Sequence, residues 1–231
     1  MQPENQNSDW LALLFNLRNI LRYYMNNQSK EVPASKLSLT RRKPVYGVGI
    51  NDAGYMTRQE INNKQFICPF YVKWQGMMRR CYSSEYQKNR PTYIGCTVSK
   101  EWHLFSNFKS WMESQDWHDK QLDKDILVQG NKTYSRESCI FVEASINTLL
   151  NNCSATRGEL MLGVTLDKEN NKFRALCSNG FGKRITIGRY LTELEAHEAY
   201  KEYKYKLISE IALQQSEPLK SAMLNHVILE Y

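Results

Sequence analysis

The stretch that decides the fold runs from Arg157 to Lys206 and reads RGELMLGVTLDKENNKFRALCSNGFGKRITIGRYLTELEAHEAYKEYKYK. Three runs in it, 160–166, 172–178 and 183–189, carry the alternation of half-buried strands. Turn residues separate them: Asn170-Asn171 at the first break and Asn179-Gly180 at the second. Alternation assigns the faces. In the second run Phe173, Ala175 and Cys177 oppose Lys172, Arg174 and Ser178. In the third, Ile185 and Ile187 oppose Arg184 and Thr186, and in the first, Leu162, Val164 and Leu166 oppose Met161, Gly163 and Thr165. A helix follows, opened by a Thr192/Glu195 capping box and striped by Ala196, Ala199, Tyr200, Tyr203 and Leu207. The helix covers the apolar side of an antiparallel three-stranded sheet. The other side stays basic, which suits the DNA major groove.

Several residues here carry a resemblance. Arg157-Gly158, Leu162-Gly163-Val164, 171–175, Arg184, 187–190 and 195–200 resemble the APETALA/ethylene-response-factor DNA-binding domain in order and spacing. The likeness covers about fifty residues. It departs at Phe173, where the family prefers Trp; an aromatic is kept. The resemblance implies a partner, double-stranded DNA. With the basic outer face it marks Arg157, Lys172, Arg174, Lys183, Arg184 and Thr186 as its contacts.

The net charge of +7 and isoelectric point near 9.0 favour a polyanionic partner. The charge is concentrated. Residues 36–100 hold twelve Lys or Arg against three acids, and residues 157–190 hold seven against three. Two basic blocks suggest two contacts with one polyanion. Six cysteines, at 68, 81, 96, 139, 153 and 177, form no Cys-x-x-Cys pair, so no zinc is expected. No signal peptide is evident, and the expected state is reduced thiols in the cytoplasm. Residues 10–25 read as an amphipathic helix with Trp10, Leu14, Leu17, Leu21 and Tyr24 on one side, a core or dimer face. Asn16, Arg18, Asn19 and Arg22 interrupt it, so it does not span a membrane.

Residues 1–43 are therefore expected to form that helix and a basic linker, whose Arg41, Arg42 and Lys43 could lie on phosphates. A second domain, 44–153, is rich in aromatics. Helical spacing predicts helices over 69–82 (Tyr71, Trp74, Met77/Met78, Cys81) and 100–115 (Trp102, Phe105, Phe108, Met112), with the aromatics in the core. The runs 126–128 and 140–142 around Gly130-Asn131-Lys132 predict a hairpin with Asp123 and Asp125 on its first arm, and 144–152 a helix packed against it. The sheet domain occupies 154–213, and 214–231 forms a tail or short helix after Pro218.

A second resemblance falls in the middle domain. Residues 122–126, 130–132, 134–142 and Asn147, with Tyr46–Asp52, Trp74, 80–82, 91–93 and 101–102 upstream, resemble the phage-encoded HNH-type homing endonucleases. The resemblance implies an α+β protein in which a divergent ββα-metal (HNH-like) domain precedes the sheet domain. It implies metal-dependent phosphodiester hydrolysis, nicking or cutting DNA, in the cytoplasm of a bacterial host. Asp123 and Asp125 would hold Mg²⁺, an oxygen-seeking cation, with Asn131 in the same site. The departures fall on decisive positions: Lys124 stands where the family has its His base, and Ser135 and Ser138 where it has Asn. His118 is the nearest other base, and its plainer reading is an exposed loop residue. Asp123 and Asp125 read equally well as salt-bridge partners of Lys124 or Lys132. A catalytically silent DNA-binding protein on an endonuclease scaffold is the alternative. The oligomeric state is open.

Overall fold

The computed structural model describes residues 31–61, 63–151, 159–179 and 182–226. The helix expected over 10–25, together with Cys153 and Arg157, lies outside them. The fold is mixed α+β. The chain divides into two compact units between His118 and Asp119. The expected boundary stood at 153/154. Residues 119–151 instead fall in one unit with the three-stranded sheet.

In the first unit, α1 (Lys36–Thr40) starts at Ser35, whose hydroxyl accepts from the Ser38 amide. Arg42 then turns back. Its guanidinium donates to the carbonyls of Asn51, Ala53 and Tyr55 at 2.5–2.8 Å. Residues 31–43 are thus tied to the unit rather than held out as an arm. A hairpin, β1 (Arg58–Ile61) and β2 (Lys64–Ile67), leads into α2 (Pro69–Tyr82). Pro69 suits the first turn of that helix, where its missing N–H is not needed. The apolar residues recur every three or four positions, and Trp74, Met77 and Met78 lose all solvent contact. α3 (Ser84–Asn89) follows. The helix expected over 100–115 is two pieces, a 3₁₀ turn at Lys100–His103 and α4 (Phe105–Glu113). The Asp52 carboxylate accepts from the Ser106 amide and hydroxyl, supplying the cap that Leu104 lacks. Trp102, Phe105, Phe108 and Met112 are fully buried, so the aromatics are core, as their spacing predicts.

The second unit opens with β3 (Gln121–Asp123), antiparallel to β4 (Ile140–Val142) in the register Leu122 opposite Phe141. The expected first arm, 126–128, is not a strand. The Asp123 carboxylate accepts from the amides of Asp125 and Ile126, which ends the strand in a turn. Ile126 drops into a core with Val142, Ile146 and Leu149. α5 (Ala144–Leu150) follows. The three-stranded meander β5 (Val164–Asp167), β6 (Lys172–Ser178) and β7 (Arg184–Tyr190) has the order of its sequence reading, but β5 starts at Val164 rather than Leu160, because residues 161–163 turn and Gly163 has φ of +80°. α6 (Glu193–Ala212) carries the complete Thr192/Glu195 capping box, and α7 (Leu219–Leu224) is the last element among the described residues.

α6 serves two cores. Its Ala196 and Tyr200 pack on Leu162, Val164, Ala175 and Cys177. One half-length further, Ile208 and Ala212 pack with α5 and with Leu219 and Met223 of α7. Gly163 sits under the Tyr200 ring with φ of +80°, and a Cβ there would lie 2.1 Å from that ring. Gly163→Ala should therefore lower unfolding stability by about 2–5 kcal/mol, combining left-handed backbone strain with overpacking. Urea denaturation of both proteins measures it, and an unmoved midpoint would contradict this packing.

Candidate nucleic-acid interface

The side of the sheet away from α6 follows from register, because residues directly opposite share a face. Val164 pairs with Ala175 and Leu166 with Phe173, on the helix side. Thr165 pairs with Arg174 and Asp167 with Lys172, on the outer side. Between β6 and β7, Leu176 faces Thr186 and Ser178 faces Arg184. The register then slips: Ala175 pairs with Gly188 and Arg174 with Arg189. Ile187 is the extra residue of a β-bulge, and it turns into the core.

That slip changes what the outer face presents. Strict alternation would send Arg189 inward beside Ile185 and Ile187. The bulge puts it outside, next to Arg174. The outer face therefore carries Lys172, Arg174, Arg184 and Arg189, with Thr186 among them. Lys172, Arg184, Thr186 and Arg189 are exposed, and Arg174 is half-buried. Lys183, just before β7, is exposed too. Asp167 is the acid among the paired residues of this face. Its carboxylate accepts from Arg189 Nε at 2.6 Å and from Asn170 Nδ2 at 3.1 Å. Those two hydrogen bonds hold the Asp167 carboxyl down to about 2. Thr165 Oγ1 and Arg174 Nε, on opposed residues, are buried without a hydrogen-bond partner among the described residues.

Of the other expected contacts, Arg41 and Lys43 are exposed, whereas Arg42 is committed to three backbone carbonyls. The basic block of the first unit is also partly engaged internally. Arg58 donates to Gln75 at 2.7 Å, and Arg79 lies 4.7 Å over the Tyr86 ring.

The loop after β3 gathers Asp123, Lys124, Asp125 and Asn131. Asp123 Oδ1 takes two backbone amides. Lys124 is buried, and its ammonium donates to Asp125 Oδ2 and to the Asn131 carbonyl, both at 2.9 Å. The Asn131 amide donates to the carbonyls of Lys124 and Thr133 and accepts from the Thr133 N–H. The side chains expected to bind metal are thus holding the loop together. Burial, and then the neighbouring Asp125 carboxylate, raise the Asp123 carboxyl to about 6. His118 lies in the first unit, stacked on the Trp117 ring at 3.9 Å. A histidine that spacing gave no reason to single out, His226 after α7, feels the charge of Asp125. Burial and the Lys204 ammonium lower its pKa, Asp125 opposes them, and its Nε2 is buried without a hydrogen-bond partner among the described residues. A divalent cation does not fit this loop as it is built, because Lys124 already supplies the positive charge beside Asp125. Among the described residues, no helix is long and apolar enough to cross a membrane. Comparison of the chain with protein families, with curated proteins and with solved structures gives no match.

The raised Asp123 carboxyl has a signed consequence. Its folded value, near 6, lies above its ordinary 3.8, so its proton contributes stability below about pH 4. That contribution is lost as pH rises through 6. Asp123→Asn keeps an oxygen for the two amides and carries no charge. Its stability relative to the parent should therefore rise between pH 4 and pH 7, by on the order of 1–3 kcal/mol. Thermal unfolding of both proteins across that range measures it, and a pH-independent difference would contradict the assignment.

Proposed function

We propose that this protein binds double-stranded DNA through the outer face of the β5–β7 sheet and recognises sequence there. The observation that carries this reading is the composition of that face. Four cationic side chains and Thr186 lie on one face of the sheet, while α6 takes the apolar side. A sheet of this size enters a major groove, where Arg donates to guanine and Thr reaches base edges or methyls. Lys172, Lys183 and Arg184 are suited to phosphate, and phosphate contact would make affinity fall with salt.

Metal-dependent hydrolysis by the loop after β3 is the second reading. Adjacent Asp123 and Asp125 carboxyls, with His226 in electrostatic reach, speak for it. The Lys124 ammonium and the hydrogen bonds of Asn131 speak against it. Binding without cutting is therefore the expected behaviour.

Gel-shift titrations of Arg174→Ala and Arg184→Ala at two salt concentrations test the binding. Each substitution should weaken it by about 1–3 kcal/mol, and losing a phosphate contact should flatten the salt slope by about one. Unchanged affinity in both variants would remove the sheet as the reading surface. The same preparation, incubated with supercoiled plasmid and Mg²⁺ or Mn²⁺, should leave it intact. Nicking by the parent that Asp123→Ala abolishes would establish the hydrolytic reading instead.

A further inference from the structure

Arg189 and Asp167 form an ion pair on the outer face of the sheet, and the reason lies in the backbone. Without the bulge at Ile187, Arg189 would point into the core. With it, Arg189 stands directly across from Arg174, a like-charged pair that is unfavourable by itself. Asp167 lies on the far strand, β5, opposite Lys172. To reach it, the Arg189 side chain crosses β6 between Lys172 and Arg174. The contact is made through Arg189 Nε, at 2.6 Å from Asp167 Oδ2. The Asp167 side chain is only 9% exposed, and the Arg189 side chain is 48% exposed. A second donor, Asn170, fixes the same carboxylate oxygen. The acid is thus anchored and the guanidinium is half in solvent.

We propose that Asp167 is a positioning residue that aims Arg189 at a guanine edge, making Arg189 a base-reading arginine of this sheet. A guanidinium has five N–H donors in a rigid plane. Asp167 takes Nε, which leaves the outer edge with both terminal nitrogens for a second planar partner. Guanine offers such a partner in the major groove, with O6 and N7 side by side. A phosphate could accept from the same edge, but an arginine reserved for phosphate gains nothing from an adjacent fixed carboxylate, which repels that anion. The acid therefore costs general affinity and adds directional selectivity, as a device for specificity does. The proposal rests on the sheet binding double-stranded DNA, and it adds the base class read and the residue pair that reads it.

Selection from a duplex library with a randomised core, using the full chain, tests this. The parent should enrich sequences with one fixed guanine that depends on the pair. Asp167→Asn should bind bulk duplex as tightly as the parent or more tightly, yet its preference at that guanine should fall at least about fivefold. Arg189→Lys keeps the charge and loses the fork, and it should lose the same position and no other. Placing 7-deazaguanine there should weaken the parent and leave both variants unaffected. A merely structural ion pair would lower affinity evenly across positions instead. Unaltered selection by both variants would overturn the proposal while leaving DNA binding in place. A parent that binds duplex but enriches no guanine would overturn it as well. A parent that binds no duplex at any salt would overturn the DNA-binding reading, and this proposal with it.

Discussion

The second unit depends on one helix meeting two cores. Over its twenty residues, α6 rises about 30 Å, enough to cover a small sheet with one end and reach a separate cluster with the other. Ala196 and Tyr200 close the sheet, and Ile208 and Ala212 close the cluster built on α5 and α7. The small residues matter as much as the large ones. Ala196 and Ala212 are completely buried, and Gly163 leaves room for the Tyr200 ring. Because the helix takes the sheet's apolar side, the charged side chains Asp167, Lys172, Arg174, Arg184 and Arg189 end up on the other. The basic surface is a by-product of burying the apolar one.

Charge is handled differently in the two places where it concentrates. On the sheet, four cations share a face with Asp167, so most of the positive charge remains available to an outside partner. In the loop after β3, Lys124 is buried and its charge is met by Asp125 and by the Asn131 carbonyl. A buried ion pair is weak evidence for stability, because desolvation offsets most of its attraction. Its effect here is geometric: it fixes a long connection between two short strands. The same side chains in an open site would suit a cation, and their present partners are what argues against one.

Much of the fold was legible in the sequence because the signals were local. The capping box at Thr192, the alternation in 172–178 and the helical spacing from Tyr71 to Cys81 each need only a short window. What escaped was set by non-local geometry. Arg189 was not read as a surface residue because period-two reading breaks at a bulge, for which Gly188 inside the strand was the local sign. Asp123 was expected on the first arm of a hairpin and lies there, but the arm ends at Asp123 and leaves out Asp125 and the more strand-like Ile126-Leu127-Val128. Only the turn made by the Asp123 carboxylate shows why the apolar run bends into the core. Arg42 read as part of a basic arm, since three carbonyls nine to thirteen residues away cannot be counted from composition. His226 reaches the electrostatic surroundings of Asp125 across a hundred residues of chain, a distance at which spacing carries no signal.

The central claim is that the face of β5–β7 opposite α6 meets DNA. The most direct measurement is amide NMR of the ¹⁵N-labelled full chain, titrated with a short duplex carrying a selected site. The account predicts shifts at Thr165, Arg174, Leu176, Arg184, Thr186 and Arg189, with the amides of α6 from Tyr200 onward unmoved. Shifts confined to α6 or to the first unit, with those sheet amides unmoved, would contradict it.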